Sequence, residues 1–135
     1  NDIINWSHTT KLERFQNLIK FCDNRNLNST DDIIYFLRKP SNRMMFLDLK
    51  GIGEKTLDYL MLLLNFDIIA VDRHLIKFLE SSGLNHINYN HTKKTFEFAA
   101  DLLDIPRSSL DASIWNYMSS KNATSKLNNQ LVFNF

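Results

Sequence analysis

Apolar residues recur along this chain at intervals of three and four, and no stretch sustains the strict alternation of a half-buried strand. Residues 10 to 26 set Leu12, Phe15, Leu18, Ile19 and Cys22 on one stripe, with Lys11, Glu13, Arg14 and Lys20 elsewhere, which predicts a helix buried along that stripe. Ser29 or Thr30 caps a short second helix, whose first turn suits Asp31 and Asp32 and whose apolar residues are Ile33, Ile34, Phe36 and Leu37. Pro40 ends it, and Ser41 restarts the chain into a third helix over Arg43 to Leu49. Beyond a glycine turn a fourth runs from Glu54 to about Asn65, apolar on most sides and therefore expected to be central. Asp72 caps the next, which carries Leu75, Ile76, Phe78 and Leu79 and stops at Gly83, with Leu84 placed for a Schellman-type end. A loop over 85–91 leads to a helix from Thr92 to Leu103, and Pro106 and Ser108 introduce the last, Ser109 to Ser120. The fold class predicted is all-α: one compact domain of six or seven short helices over residues 1–120. A polar, Asn-rich tail over 121–135 follows, expected to be mobile in large part.

Composition narrows the classes without choosing a function. With 135 residues and 44% apolar content the chain suffices for one domain with a core. No apolar run reaches the roughly twenty residues of a membrane span, so a soluble protein is expected, and a lone cysteine fits a reducing, intracellular setting. Cys22 is the single cysteine, which excludes an internal disulfide, a four-cysteine zinc site and a cysteine-held iron–sulfur cluster. A start at Asn1 with no visible signal peptide reads as a fragment or a trimmed chain. A net charge of +1 leaves any nucleic-acid partner to a small local patch.

The local chemistry concentrates in Leu49-Lys50-Gly51-Ile52-Gly53-Glu54-Lys55-Thr56, which holds two of the three glycines. Glycine admits backbone conformations closed to other residues and lets a ligand approach closely. The helix opening at Glu54 presents unpaired N–H groups and the positive end of its dipole, a ready phosphate site.

Helix, hairpin and helix over Arg43 to Asn65 together resemble the helix-hairpin-helix DNA-binding motif. That resemblance implies phosphate donation by the N–H groups around Gly51, Gly53 and Lys55, and a DNA contact built from Lys50, Gly51, Ile52, Gly53, Lys55, Thr56 and Arg73. It also implies a structural sodium or potassium ion held by the carbonyls of Leu47, Leu49 and Ile52, with no other cofactor. A Gly-x-Gly turn is also what a tight packing corner uses. Leu49 before the glycines and the apolar Ile52 between them fit the motif.

Seventeen residues after Lys55 comes Ile69-Ala70-Val71-Asp72-Arg73-His74. Gly-apolar-Gly-x-Lys-Thr, an apolar helix and then Val-Asp-x-His look like the helix-hairpin-helix DNA glycosylases of the endonuclease III superfamily. The likeness is good from about Phe15 to Leu79 and weaker onward to Tyr117. It implies a base-excision-repair glycosylase or abasic-site lyase acting on damaged or abasic double-stranded DNA. Lys55 takes the position of the lysine that attacks the sugar C1′, and Asp72 that of the assisting aspartate. Such a lysine must shed its proton, and burial against the apolar helix would favour the neutral amine; the carboxylate would stabilise an oxocarbenium-like sugar or shuttle a proton.

Each residue also has a plainer reading. Lys55 pairs with Asp58 on the surface in one, and Asp72 is an ordinary N-cap in the other. Arg73 and His74 line a cleft or sit at a helix start; His86 and His91 are surface residues; Lys93 and Lys94 mark a solvated face. Trp6 suits base stacking, although Trp6 and Trp115 both read more naturally as core. The family carries a longer segment before the hairpin, where its base pocket and wedge are built, so no base-recognition residue is identified here. Two other classes fit the sequence: a non-catalytic helix-hairpin-helix binding module, as part of a larger protein, and a helical protein-interaction domain.

Overall fold

Side chains close the helix ends at most of the junctions marked by polar residues. The computed structural model describes the backbone of residues 9–131 and the side chains of residues 9–121. Trp6 and the Val132-Phe133 pair lie outside the described residues. Seven helices follow one another: α1 (Thr9–Asp23), α2 (Thr30–Leu37), α3 (Pro40–Leu47), α4 (Glu54–Leu63), α5 (Arg73–Ser81), α6 (Tyr89–Leu102) and α7 (Arg107–Leu131). No strand occurs among the described residues, so the fold is all-α. Where the sequence predicts one domain, the chain divides into two compact units, Asn1–Leu64 and Asn65–Phe135.

In the first unit Ser29 caps α2 through a reciprocal pair of bonds. Its Oγ accepts the Asp32 amide at 3.1 Å, and Asp32 Oδ2 accepts the Ser29 amide at 2.9 Å. These bonds hold the exposed Asp32 carboxyl below its ordinary proton affinity, the Ser29 hydroxyl first among them. The far end of α2 is closed from α3, by Asn42 Nδ2 on the Phe36 carbonyl at 3.0 Å and Arg43 Nε on the Leu37 carbonyl at 2.7 Å. Pro40 opens α3 as its first residue, a place where its missing N–H costs nothing. Phe21, Phe36 and Phe46 meet at ring separations of 4.7 to 6.0 Å, and Leu37, Leu57 and Met61 are the other buried apolar residues of these helices and α4.

This aromatic cluster corrects the predicted face of α1. Phe21 is its buried residue; Leu12, Leu18 and Cys22 of the expected stripe are half-buried, whereas Phe15 and Ile19 are exposed. The expectation that α4 is buried on most sides is met on one side only. Leu57, Asp58 and Met61 are buried, while Tyr59 and Leu63 face outward.

In the second unit Ile69, Val71, Leu75, Leu79, Phe96, Ile114 and Met118 form one core, closed at its edge by Ile76, Phe78, Tyr89 and Leu110. Asp72 caps α5 as expected, and its other end is a Schellman motif. There the Leu84 amide bonds the Leu79 carbonyl at 3.2 Å, the Gly83 amide bonds Glu80 at 3.0 Å, and Gly83 takes φ +80°. Helix α6 starts three residues before the predicted Thr92 because Asn88 caps it, accepting the His91 amide at 2.8 Å. His91 is therefore an exposed first-turn residue rather than a loop residue. Helix α7 continues past Ser120 to Leu131, through the first part of the stretch read as a tail. Trp115, expected in the core, is 49% exposed.

Leu75 is fully buried, and Phe98 is 69% exposed on α6. Leu75→Ala should lower unfolding free energy by about 2 to 5 kcal/mol, and Phe98→Ala by no more than about 0.5 kcal/mol, both read from urea midpoints. Equal losses would contradict the placement of this core.

Candidate functional site

The candidate residues fall into two groups, one in each unit. Lys50, Gly51, Ile52, Gly53, Lys55 and Thr56 belong to the first and share the junction of α3 with α4; Asp72 and Arg73 belong to the second, at the start of α5.

At the first junction the Ile52 amide donates to the Leu49 carbonyl at 2.9 Å, closing a four-residue turn. Gly51 occupies its third position at φ +89°, which a type II turn assigns to glycine. The Arg14 side chain, reaching over from α1, fills the space that a Cβ on Gly51 would need. Gly53 differs. It is the N-cap of α4 in ordinary extended backbone (φ −105°, ψ 177°), and a Cβ added there meets nothing within 4 Å. Neither strain nor crowding therefore demands glycine at position 53.

What the absent side chain does is leave backbone uncovered. A serine or aspartate at this cap would cover an amide of the first turn. With glycine there, the N–H groups of Gly51, Gly53 and Lys55 meet no acceptor among the described residues. Lys50, Gly51, Gly53, Lys55 and Thr56 are exposed, and Ile52 is half-buried. The Arg14 side chain lies against Gly51, and the same turn carries the exposed bases Lys50 and Lys55 and the exposed acids Asp48 and Glu54. Sequence reasoning missed Arg14, because nothing local marks a residue that lies 37 positions before the glycine it covers.

Lys55 is exposed rather than buried against its helix, and it shares its face of α4 with Tyr59 and Leu63. Asp58 turns into the interior instead, so the surface pair Lys55–Asp58 does not form. The reason is helical phase: residue 58 shares the inward face of residues 57 and 61, whereas residue 55 is in line with 59 and 63. Of the three carbonyls considered for a cation, that of Leu49 accepts the turn amide, and those of Leu47 and Ile52 accept no hydrogen bond among the described residues. Among the described residues no three His, Cys, Asp or Glu side chains are grouped to hold a metal ion. No helix among them is long and apolar enough to cross a membrane.

At the second junction Asp72 Oδ1 accepts the amides of His74 at 2.7 Å and Leu75 at 3.0 Å. Arg73 is exposed. His74 is buried, its ring edge-on to Trp115 at 5.7 Å, and its Nδ1 has no hydrogen-bond partner. The residue that sequence reasoning overlooked here is Asp111. It is only 6% exposed, and its Oδ2 accepts the Ala70 amide at 2.9 Å. Burial pushes its carboxyl above the ordinary range; the Ala70 amide opposes that, and the charge of Asp72 adds to it. A signal was present: Asp111 lies three and seven residues before the buried Ile114 and Met118, an acid on the apolar face of its helix.

Gly51→Ala should cost about 1 kcal/mol or more, through positive φ and the Arg14 side chain, whereas Gly53→Ala should stay within about 0.5 kcal/mol; thermal unfolding decides, and equal effects would refute the asymmetry. The raised carboxyl of Asp111 fixes the sign of a second outcome. Its contribution to stability is fully present below the ordinary carboxylate range and is lost as pH rises through the raised value. Asp111→Asn keeps an acceptor for Ala70, so it should be at least as stable as the parent at pH 7 and lose that advantage as pH falls toward 4. An advantage that grew on acidification would reverse the assignment. Comparisons with protein-family models, with curated proteins and with solved structures find no match for this chain.

Proposed function

We propose that the chain binds the phosphate backbone of double-stranded DNA through a helix-hairpin-helix motif formed by α3, the Gly51 turn and α4. In this reading it acts in base-excision repair as a DNA glycosylase or abasic-site lyase. The observation that carries the DNA reading is the uncovered amide group at Gly51, Gly53 and Lys55, with Arg14 against Gly51 and the exposed Lys50 and Lys55 in the same turn. Backbone donors at a helix start favour phosphate and carry no base information. The acids Asp48 and Glu54 beside them keep affinity modest. Carbonyl oxygens are hard ligands suited to sodium or potassium, and Leu47, Leu49 and Ile52 would hold such an ion beside the phosphate.

The catalytic step assigns the amine to Lys55 and the carboxylate to Asp72. On an abasic site the Lys55 amine adds to the C1′ aldehyde and water leaves, giving an imine; loss of a C2′ proton to water then breaks the C3′–O bond, and the 3′ phosphate departs with its electrons. On a damaged nucleotide the same attack breaks the bond to the base, which departs with the bonding electrons. Asp72, held by two backbone amides, supplies negative charge to the oxocarbenium-like sugar. The exposure of Lys55 favours a second reading, a non-catalytic DNA-binding module in which this lysine meets phosphate as a point charge.

Duplex binding, followed by fluorescence anisotropy, should weaken with salt at a logarithmic slope of about −2 to −3, as two or three neutralised phosphates give. Gly53→Ser should stabilise the fold slightly by capping the Lys55 amide, yet weaken binding to all sequences alike, because that cap occupies a phosphate donor. Salt-insensitive binding, or none to duplex or abasic DNA, would refute both DNA readings. Borohydride should trap a covalent adduct with abasic DNA, and Lys55→Gln should abolish it while most duplex binding remains. Trapping by Lys55→Gln at the level of the parent would remove the catalytic assignment and leave the binding module.

A further inference from the structure

Facing away from the core of the second unit, α6 carries a stripe of exposed side chains. Thr92, Phe96 and Ala100 turn inward; His91, Lys94, Phe98, Asp101 and Leu102 lie on the opposite side of the helix by its 3.6-residue period and are all exposed. Leu102, at 75%, and Phe98, at 69%, are the two most exposed large apolar side chains among the described residues. The exposed Leu103 and Ile105 extend this surface past the end of the helix. Beside the start of the stripe lies an apolar cleft of about 290 Å³, lined by Leu79, Leu84, Asn85, Ile87, His91 and Thr95. A cavity of about 150 Å³ already admits a benzene-sized group, so this one has room for an aliphatic side chain from outside. Exposed apolar side chains gathered in this way mark a contact surface.

We propose that this face pairs with the same face of a second copy of the chain, α6 against α6, antiparallel about a two-fold axis at Phe98. A two-fold contact requires a surface complementary to itself, and the spacing along α6 supplies one. Lys94 and Asp101 are seven residues apart, about two turns, and so lie along one side of the stripe; Thr95 and Leu102 are also seven apart and lie along the other. Phe98 falls at the middle of both pairs, so in the antiparallel arrangement Phe98 meets Phe98. Lys94 of each copy then faces Asp101 of the other, and Leu102 of each copy faces the cleft beside Thr95 of the other. Charge of opposite sign, and a knob with its hole, thus stand at matching distances on either side of the centre. Arg107 donates to Asp101 at 3.1 and 2.9 Å and holds its carboxyl below the ordinary range, so Asp101 is an anion at neutral pH. Charge pairs on the rim of such a contact select the partner and fix its register, while the apolar centre holds it.

A contact of this size is weak, with an expected Kd of roughly 10 µM to 1 mM, so the chain is monomeric in the dilute samples of an unfolding titration. Sedimentation equilibrium over a hundredfold range of concentration should show a monomer–dimer equilibrium that stops at the dimer. Phe98→Asp or Leu102→Asp should raise Kd by about tenfold or more. The charges give the sharper test. Lys94→Asp and Asp101→Lys should each be monomeric alone, because each sets like charges opposite one another, yet an equimolar mixture of the two should form a heterodimer in which both opposite-sign pairs are present. All four positions are exposed, so the variants should keep the parent's far-ultraviolet circular dichroism. In the parent itself, amide NMR signals that move on dilution should cluster at Phe98, Leu102 and Ile87, and this measurement decides even where a variant fails to fold. A parent that stays monomeric throughout, growth beyond the dimer, dilution shifts confined to other surfaces, or folded charge variants that do not pair when mixed would each overturn the proposal.

Discussion

Helices of eight to ten residues are not stable in water by themselves, because nucleation fixes several residues for the first hydrogen bond and leaves four donors and four acceptors open at the ends. Helices α2, α3, α4 and α5 all fall in this range. Their persistence depends on how those open groups are satisfied. Ser29, Asp72 and Asn88 close starts; Asn42 and Arg43 close the far end of α2; Gly83 and Leu84 close that of α5. Cap interactions are worth on the order of 1 kcal/mol each, a large share of the few kcal/mol by which a small domain is stable.

Against that background the start of α4 stands apart. Its cap is Gly53, with no side-chain bond, and the amides around it are open. The helix dipole and the uncovered donors act in the same direction there, toward an anion, and three basic side chains reinforce them. Glu54 in the first turn satisfies part of the same potential from within the chain. Affinity for phosphate at such a place is a competition between an internal acid and an external one, decided by local geometry rather than by a net charge of +1.

The start of α5 is arranged in the opposite way. Asp72 fills its own cap with a carboxylate, and the dipole stabilises that charge inside the protein. Behind it the segment from Asp67 to Val71 is tied to α7 by two acids that accept backbone or hydroxyl groups. The buried one, Asp111, carries a desolvation cost that the exposed one does not. Its bond falls on Ala70, two residues from Asp72, where Ile69, Ala70 and Val71 are all buried.

The sequence by itself determined what depends on neighbours within about four residues. The 3.6-residue period gave six or seven helices, where the structure has seven; the polar residues at position 29 or 30 and at 72 gave caps, and Gly83-Leu84 a helix stop. The turn at Gly51 was legible for the same reason, since positive φ is a local demand. Tertiary structure decided which apolar face is buried. Phe21, outside the predicted stripe of α1, became its buried residue because Phe36 and Phe46 offered it aromatic partners, and helical phase put Asp58 inward while Lys55 stayed outside. Arg14 over Gly51 and Asp111 under Ala70 join residues 37 and 41 positions apart. Periodicity carries no information at that range, because such contacts depend on how whole helices pack and on which buried donor needs an acceptor.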